Sequence, residues 1–511
     1  MHIERKEILA VYEEGPNAVV RLVESLVATI SSLEEQFSAE VADLRTQVAA
    51  LKEKNERLEC ENRDLTDRVR DLEARLKMNS RNSSKPPSSD GFMKTPQQRK
   101  KTGKPPGGQK GHKGHTLSMV DYPNEIITHA PGRCAVCDRH LGAVKPEGFD
   151  RRQVFDIPIT PIKVTEHRCQ VKRCPRCGSE NRAAFPEGVG AKTQYGSNLK
   201  AVVSYLTAYQ LIPLRRAVEL LSDMFGHRIC EATLLNASGA LAEVLGPTEE
   251  TIRGALTCSP VLNLDETGMR IEGKTSWLHV ASNEMLTFYA PHARRGRAAM
   301  EDIGILPDFE GTAVHDAFSS YMGYDCRHAL CNAHLIRELT ALEECGETWA
   351  CEMKNLLLDT YASVTRAKER GKLKLSRRSL EGIEKSCHRI LEEGFAKNPL
   401  PDTRGQPKRR GRKKKSKARN LLERLRDHMD KVLAFAYDFR VPFDNNLAER
   451  DLRMMKVQQK VSGTFRSCDG ARSFCRIRGY ISTAKKNSYP VITALRDAFE
   501  GRPFLPAIVE A

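Results

Sequence analysis

The sequence predicts a multidomain α+β protein, and three observations carry that expectation. Apolar residues recur every seven positions from Val19 to Met78; two Cys-x-x-Cys pairs bracket a segment of alternating residues; and two apolar, strand-like runs end in aspartates, Asp265 and Asp316. At 511 residues the chain exceeds one hydrophobic core, and about 150 residues per domain suggests three or four units. Seven segments follow: 1–78, 79–120, 121–190, 191–255, 256–334, 335–440 and 441–511.

Composition narrows the class. Lysine and arginine number 82 against 66 aspartates and glutamates, a formal charge of +16. That excess favours a polyanionic partner, nucleic acid first. No run of 18 apolar residues predicts a membrane span, and Met1–Lys6 lacks the apolar core of a signal peptide, so the expected location is cytoplasmic. Fifteen scattered cysteines fit reduced thiols and metal ligands better than a disulfide scaffold.

In segment 1–78, Val23, Ile30, Phe37, Leu44, Leu51, Leu58, Leu65 and Leu72 form one seam position, and Val27, Val41, Val48 and Val69 recur at its companion. Valine opposite leucine favours two parallel strands, and Asn55 and Asn62 at the seam would fix register and copy number at a cost in stability. The reading is a homodimeric coiled coil. The polar, proline-bearing stretch 79–91 is a linker, followed by a glycine-rich basic arm, Lys94–His115, suited either to phosphate contacts or to a solvated spacer. His112 and His115 have no evident partner ligands.

Cys134-Ala-Val-Cys137 and Cys174-Pro-Arg-Cys177 are each followed by a turn residue, Asp138 and Gly178. Two thiolates at this spacing form a knuckle, and two knuckles complete the tetrahedral shell of structural Zn²⁺. With strand-like alternation between Arg151 and Arg173, a zinc-ribbon-like domain is expected over 121–190; Cys169 is spare. Residues 199–245 read as helices divided at Pro213 and ended by Gly226. They suit a helix-turn-helix or, the preferred reading, plain core packing.

Val261–Leu264 reads as a strand, Asp265 as its terminal carboxylate, and Glu266-Thr267-Gly268 as the turn that stops it. A meander follows in Ser276–Ala281 and Met285–Ala290, then a helical segment, Arg295–Ile305, then the run Gly311–His315 into Asp316. This order puts Asp265 and Asp316 on neighbouring central strands, within reach of one metal. A third carboxylate should come from a helix packed on that sheet: Glu449, on a helix capped by Asp444 or Asn445 and sharing a face with Arg453 and Lys456. The alternative makes Glu449 and Arg453 a surface pair.

Leu264-Asp-Glu-Thr-Gly268, Val314-His-Asp316, Cys331-Asn-Ala-His-Leu-Ile-Arg-Glu-Leu339 and Asp444-Asn-Asn-Leu-Ala-Glu-Arg450 resemble DDE transposases of bacterial insertion sequences of the IS-sixty-six type. The Ser-Ser-Lys-Pro-Pro-Ser-Ser-Asp linker, the Gly-Gly-Gln-Lys-Gly-His arm and the cysteine knuckles follow that family's large subunit in order. The resemblance implies an RNase H-like α/β catalytic core whose acidic triad falls on Asp265, Asp316 and Glu449. It also implies accessory element-encoded proteins and a bacterial, nucleoid-associated setting.

Three carboxylates suit phosphodiester transfer, because two Mg²⁺ (or Mn²⁺) ions about 3.5–4 Å apart stabilise both the attacking and the leaving oxygens. Cleavage at element ends and joining of the freed 3′-hydroxyl to target DNA would then need no covalent protein intermediate. Between Asp316 and Glu449 the helical stretches Leu335–Arg370 and Ser376–Glu393 mark an insertion. Within it Pro401–Arg419 holds ten basic residues in nineteen. Lys408, Arg409, Arg410, Arg412, Lys413, Lys414 and Lys415 are read as a phosphate clamp. Arg453, Lys456 and Arg466 join them as DNA contacts, with Arg472, Arg476 and Arg478 nearby. Cys331 and His334, three apart on one helical face, supply only half a zinc shell and are read as supporting the active site. A non-enzymatic dimeric zinc-containing DNA-binding regulator, or an inactive transposase remnant, is the alternative; only the carboxylates separate the two. Residues 482–498 close the chain as a helical segment.

Overall fold

A long apolar heptad free of helix breakers commits its residues to one helix, and such a helix dominates the first of two units. The computed structural model describes residues 4–76, 78–79, 82–83, 117–156, 162–400 and 415–507, and the chain divides into Met1–Met93 and Lys94–Ala511. In the first unit, α1 (Arg5–Glu13) opens with a reciprocal Glu4–Glu7 capping box. Gly15, at φ +107°, breaks the chain before α2 (Pro16–Leu76), 61 residues long. The helix expected over 1–78 is therefore two. Along α2 the seam residues lie exposed, Leu51 at 63%. The basic arm Lys94–His115 falls outside the described residues.

Among the described residues of the second unit before residue 196, regular structure is confined to one short strand pair. These strands are β1 (Val171–Arg173) and β2 (Glu180–Arg182), joined antiparallel. The alternation expected to make strands across Arg151–Arg173 does so, among the described residues, only at β1. Val154 and Val164 are 92% and 87% exposed, so neither face of that stretch gains burial and no ladder forms.

Helices α3 (Ser197–Ser204), α4 (Leu214–Phe225), α5 (Glu231–Val244) and α6 (Gly246–Thr257) follow. A π-helical turn at Tyr205–Tyr209 ends the first before Pro213, and Gly226 closes the second at φ +63°, as its position predicts. Helix α5 is packed on two sides. Leu234 and Ala237 meet Val203 and Leu221, and Leu241 and Leu245 join a cluster with Ile477, Tyr480 and Ile481. This is core packing.

The centre is a five-stranded sheet, β3 (Val261–Ile271), β4 (Lys274–Ser282), β5 (Thr287–His292), β6 (Thr312–His315) and β7 (Arg327–Leu330), in the order β5-β4-β3-β6-β7. The first three form an antiparallel meander; β6 pairs parallel to β3 and β7 parallel to β6. Helix α7 (Arg297–Ile303) leads from the meander towards β6. β3 does not stop at Asp265: Glu266, Thr267 and Gly268 pair with His279, Leu278 and Trp277. The turn comes at Glu272–Gly273, both left-handed at φ +53° and +74°, the conformation a tight hairpin requires.

After β7 come α8 (Asn332–Glu344), α9 (Thr348–Glu369), α10 (Arg377–Lys397), α11 (Lys417–Asp427) and the short α12 (Met429–Val432) and α13 (Ala434–Tyr437). They enclose a core of Trp349, Met353, Leu357, Ile390 and Leu422. The chain then returns to the sheet with α14 (Asn446–Ser462), α15 (Cys468–Lys486) and α16 (Val491–Phe499). The closing helix expected over 482–498 is split at Asn487–Pro490. Helix α15 covers the edge of β5, where Thr287 N–H donates to Thr483 Oγ1 at 3.1 Å. Gly479 permits that approach, since a Cβ there would lie 3.1 Å from the Thr287 carbonyl oxygen. Among the described residues no helix is long and apolar enough to cross a membrane.

Candidate active site

The register of β3 on β6 decides where the two aspartates stand. Val261, Leu262 and Asn263 pair with Thr312, Ala313 and Val314, an offset of 51 (312 − 261). The same offset carried two residues further matches Asp265 with Asp316 (265 + 51). Because β6 ends at His315, the β3–β6 pairing stops short of both carboxylates, while Asp265 stays in the ladder on its other side, opposite Val280 of β4. Asp316 Oδ1 accepts the Phe318 N–H at 3.0 Å, and Asp265 Oδ1 accepts the Glu266 N–H at 2.8 Å. Burial, then the charge of Glu266, with further contributions from Asp316 and Glu449, pushes the Asp265 carboxyl up to about 7.

Glu449 reaches this neighbourhood from the first turn of α14. The start of that helix is fastened by Asn445, which is buried. Its Nδ2 donates to the Leu264 carbonyl at 2.7 Å, its Oδ1 accepts from Asn263 Nδ2 at 2.9 Å, and its N–H points to Cys331 Sγ at 3.2 Å. Thus the residue before Asp265, the base of α8 and the helix bearing Glu449 are tied at one point. Of the two expected caps, Asn445 holds the N-cap position but turns its side chain inward, while Asp444 Oδ1 accepts the Asn446 N–H at 3.0 Å from one residue earlier. Sequence reading missed this bracket; the signal was Asn263, an amide inside an otherwise apolar strand. Glu449 makes no pair with Arg453. It faces His334, whose Nδ1 lies 3.9 Å from Glu449 Oε1, and both of these buried atoms lack a hydrogen-bond partner. Cys331 Sγ, His334 and Glu449 offer ligand atoms within 4.8 Å of one another, a set that does not include the two aspartates.

Glu266, expected to be turn chemistry, is instead buried in β3, with its side chain only 1% exposed. It accepts from Arg295 Nε at 2.9 Å and from the Tyr321 hydroxyl. Arg295 lies between Trp277 and Phe318, 4.8 and 4.3 Å from their ring centres. This pins the loop after Asp316 from behind. His315 stacks on Tyr321 and shares a hydrogen bond with His328; burial holds it down to about 4, so it is neutral near pH 7.

The basic residues divide. Arg453, Lys456 and Arg466 are exposed and form no ion pair with a described residue. Lys415 instead binds Glu423 at 2.6 Å, with Arg419 on the same carboxylate. The strand of chain entering α11 is thereby anchored by the charge expected to meet phosphate. Arg476 bonds Glu249 at 2.6 Å and Arg478 is buried against the carbonyls of Ala208 and Tyr209; both stabilise the fold rather than face a partner. Arg472 pairs with Asp469. Lys408, Arg409, Arg410, Arg412, Lys413 and Lys414 lie outside the described residues.

The cysteine pairs adopt one geometry twice. The N–H of Asp138 and of Gly178 each donates back to the first cysteine carbonyl at 2.9 Å, and both turn residues have positive φ. Hydrogen bonds lower the pKa of two of the thiols: Cys177 to about 7, chiefly through Ser179, and Cys134 through the backbone at Val136. Within the described residues the four sulfurs do not converge to ligand distance of one another.

Among the described residues Asp265, Asp316 and Glu449 do not bring three ligand atoms within 4.8 Å of one another, but a buried carboxylate crowded by like charges lacks the counter-charge that a hard divalent cation supplies. Fold and site together define a multidomain α/β protein with an acidic centre at its middle strands. Residues 192–473 match the Transposase IS66 family, more than half of the chain, and the chain belongs to that family. It is therefore grouped with transposases, nuclease and transferase enzymes whose partner is DNA and which generally use a divalent metal. Residues 17–118 match a second family, described as a family of unknown function, DUF6444. Comparison with curated proteins gives no match.

Proposed function

We propose that the chain is a DDE transposase that cuts the ends of its element and joins them to target DNA, with Asp265, Asp316 and Glu449 as the catalytic carboxylates. The observation that carries this reading is the β3–β6 register, which aligns the two aspartates, together with the Asn445 bracket that brings Glu449 to the same strand. The sheet order, with one antiparallel arm and two parallel neighbours, supports an RNase H-like core.

Asp265, Asp316 and Glu449 would hold Mg²⁺ or Mn²⁺, which when bound stabilises negative charge on both oxygens of an exchanging phosphodiester. The protein's own part is positional. Burial of Asp265 and the Phe318 N–H on Asp316 fix the carboxylates, and neutral His315 keeps further positive charge out of the strand end. Exposed Arg453, Lys456 and Arg466 offer phosphate contacts along α14 and beyond it. The N-terminal unit is read as a parallel dimerisation coil, and Cys134, Cys137, Cys174 and Cys177 as the ligands of one structural Zn²⁺ that would draw the two knuckles together.

The test is incubation of the full chain with labelled element ends and Mg²⁺. Wild type should yield a 3′-hydroxyl nick and a joined product, and Asp265→Ala and Glu449→Gln should lose both. Full activity in either variant would remove the assignment.

A further inference from the structure

We propose that Cys331, His334 and Glu449 form a second metal site, one for a borderline transition ion of the zinc(II) class, which shares Glu449 with the acidic centre. The binding claim stands on geometry alone; its consequence for catalysis rests on the reading above.

A Cys-x-x-His pair by itself gives two ligands. The third arrives from α14, because Asn445 seats the start of that helix against Cys331. The result is a sulfur, an imidazole nitrogen and a carboxylate oxygen within 4.8 Å of one another. Two ligand bonds of about 2.0–2.1 Å span at most about 4.2 Å, and the His334–Glu449 separation of 3.9 Å lies inside that limit. Both facing atoms, His334 Nδ1 and Glu449 Oε1, are buried without a hydrogen-bond partner. Buried polar atoms are normally satisfied, so a matched orphan pair beside a thiol marks a place for a shared positive ion. Sulfur and imidazole select zinc(II) or cobalt(II) over Mg²⁺. Three protein ligands leave the fourth position to water.

On binding, the Cys331 thiol gives its proton to solvent and its sulfur lone pair to the metal; the Asn445 N–H remains to support the thiolate. Glu449 Oε1 is then committed to zinc. The acidic centre would lose one of its oxygens, and zinc would antagonise magnesium.

The test counts metal on the full chain without DNA. Cobalt(II) is titrated into metal-free wild type, Cys331→Ser, His334→Ala and Glu449→Gln, with thiolate-to-cobalt absorption and bound metal per chain as readouts. Circular dichroism checks that each variant is folded, and His334→Ala serves if Cys331→Ser is not. The expected result is one equivalent fewer in each folded variant than in wild type, with the cysteine knuckles still filled. Equal metal counts in wild type and His334→Ala would overturn the site. Loss of DNA cleavage in Asp265→Ala bears only on the catalytic reading, so the two ideas fail separately.

Discussion

Asp265 is held where a carboxylate is least comfortable. Its ordinary pKa is near 4, and burial beside Glu266, Asp316 and Glu449 raises it to about 7. A folded-state value above the unfolded one means that the metal-free native chain holds this proton more tightly than the unfolded chain. Stability from this group is therefore intact below about pH 4 and is lost as pH rises towards 7. Asp265→Asn should raise the melting temperature of metal-free protein at pH 7.5, flatten this part of its pH dependence and abolish strand cleavage. A variant no more stable than wild type at that pH would contradict the burial argument. Asn445 shows the opposite balance. Removing its amide leaves Asn263 Nδ2 and the Leu264 carbonyl without their partner. Asn445→Ala should cost about 1–3 kcal/mol in urea unfolding, and cleavage should fall further than stability explains, since Glu449 loses its seat.

At the level of elements, the close approach of β6 to the start of β3 sets the aspartate register. Gly311 makes it possible: a Cβ there would lie 2.5 Å from the Ser259 carbonyl oxygen and 2.8 Å from that of Pro260. These are backbone atoms, which cannot swing aside. Gly311→Ala should destabilise by about 1–3 kcal/mol and reduce cleavage while leaving coil-mediated association unchanged, as read by denaturation and sedimentation. Much of this architecture was legible in the sequence. The strands that lead to Asp265 and Asp316, the helices that follow β7 and the division at Pro213 and Gly226 follow from local pattern. β7 did not, because four residues, Arg327–Leu330, are too few for a period to declare itself. Nor did Glu266, whose run with Thr267 and Gly268 has turn composition; pairing with β4 overrode that preference. Cys331 and His334 were visible as a pair, but the third member of their cluster is brought by tertiary contact.

For the whole molecule, the exposed apolar seam of α2 is the feature that most needs a partner. A two-stranded coil would bury Leu44, Leu51 and Leu58 against their copies. On the coiled-coil reading the full chain should sediment as a dimer and a chain lacking residues 1–78 as a monomer, and Asn62→Leu should strengthen association while admitting higher copy numbers. If the shortened chain remains a dimer, association lies elsewhere.

The order in which the site's pieces occur along the chain has a consequence during synthesis. Asp265 and Asp316 leave the ribosome before the helices α8 to α13, and Glu449 only after them. A nascent or prematurely terminated chain ending within that insertion holds two of the proposed carboxylates and lacks the third. Its β5 edge is also bare, because Thr483 of α15 has yet to be made. On the proposed triad, such fragments would lack a catalytic carboxylate, and their open strand edge would favour aggregation. Only completion of the chain would then supply the last of the proposed carboxylates.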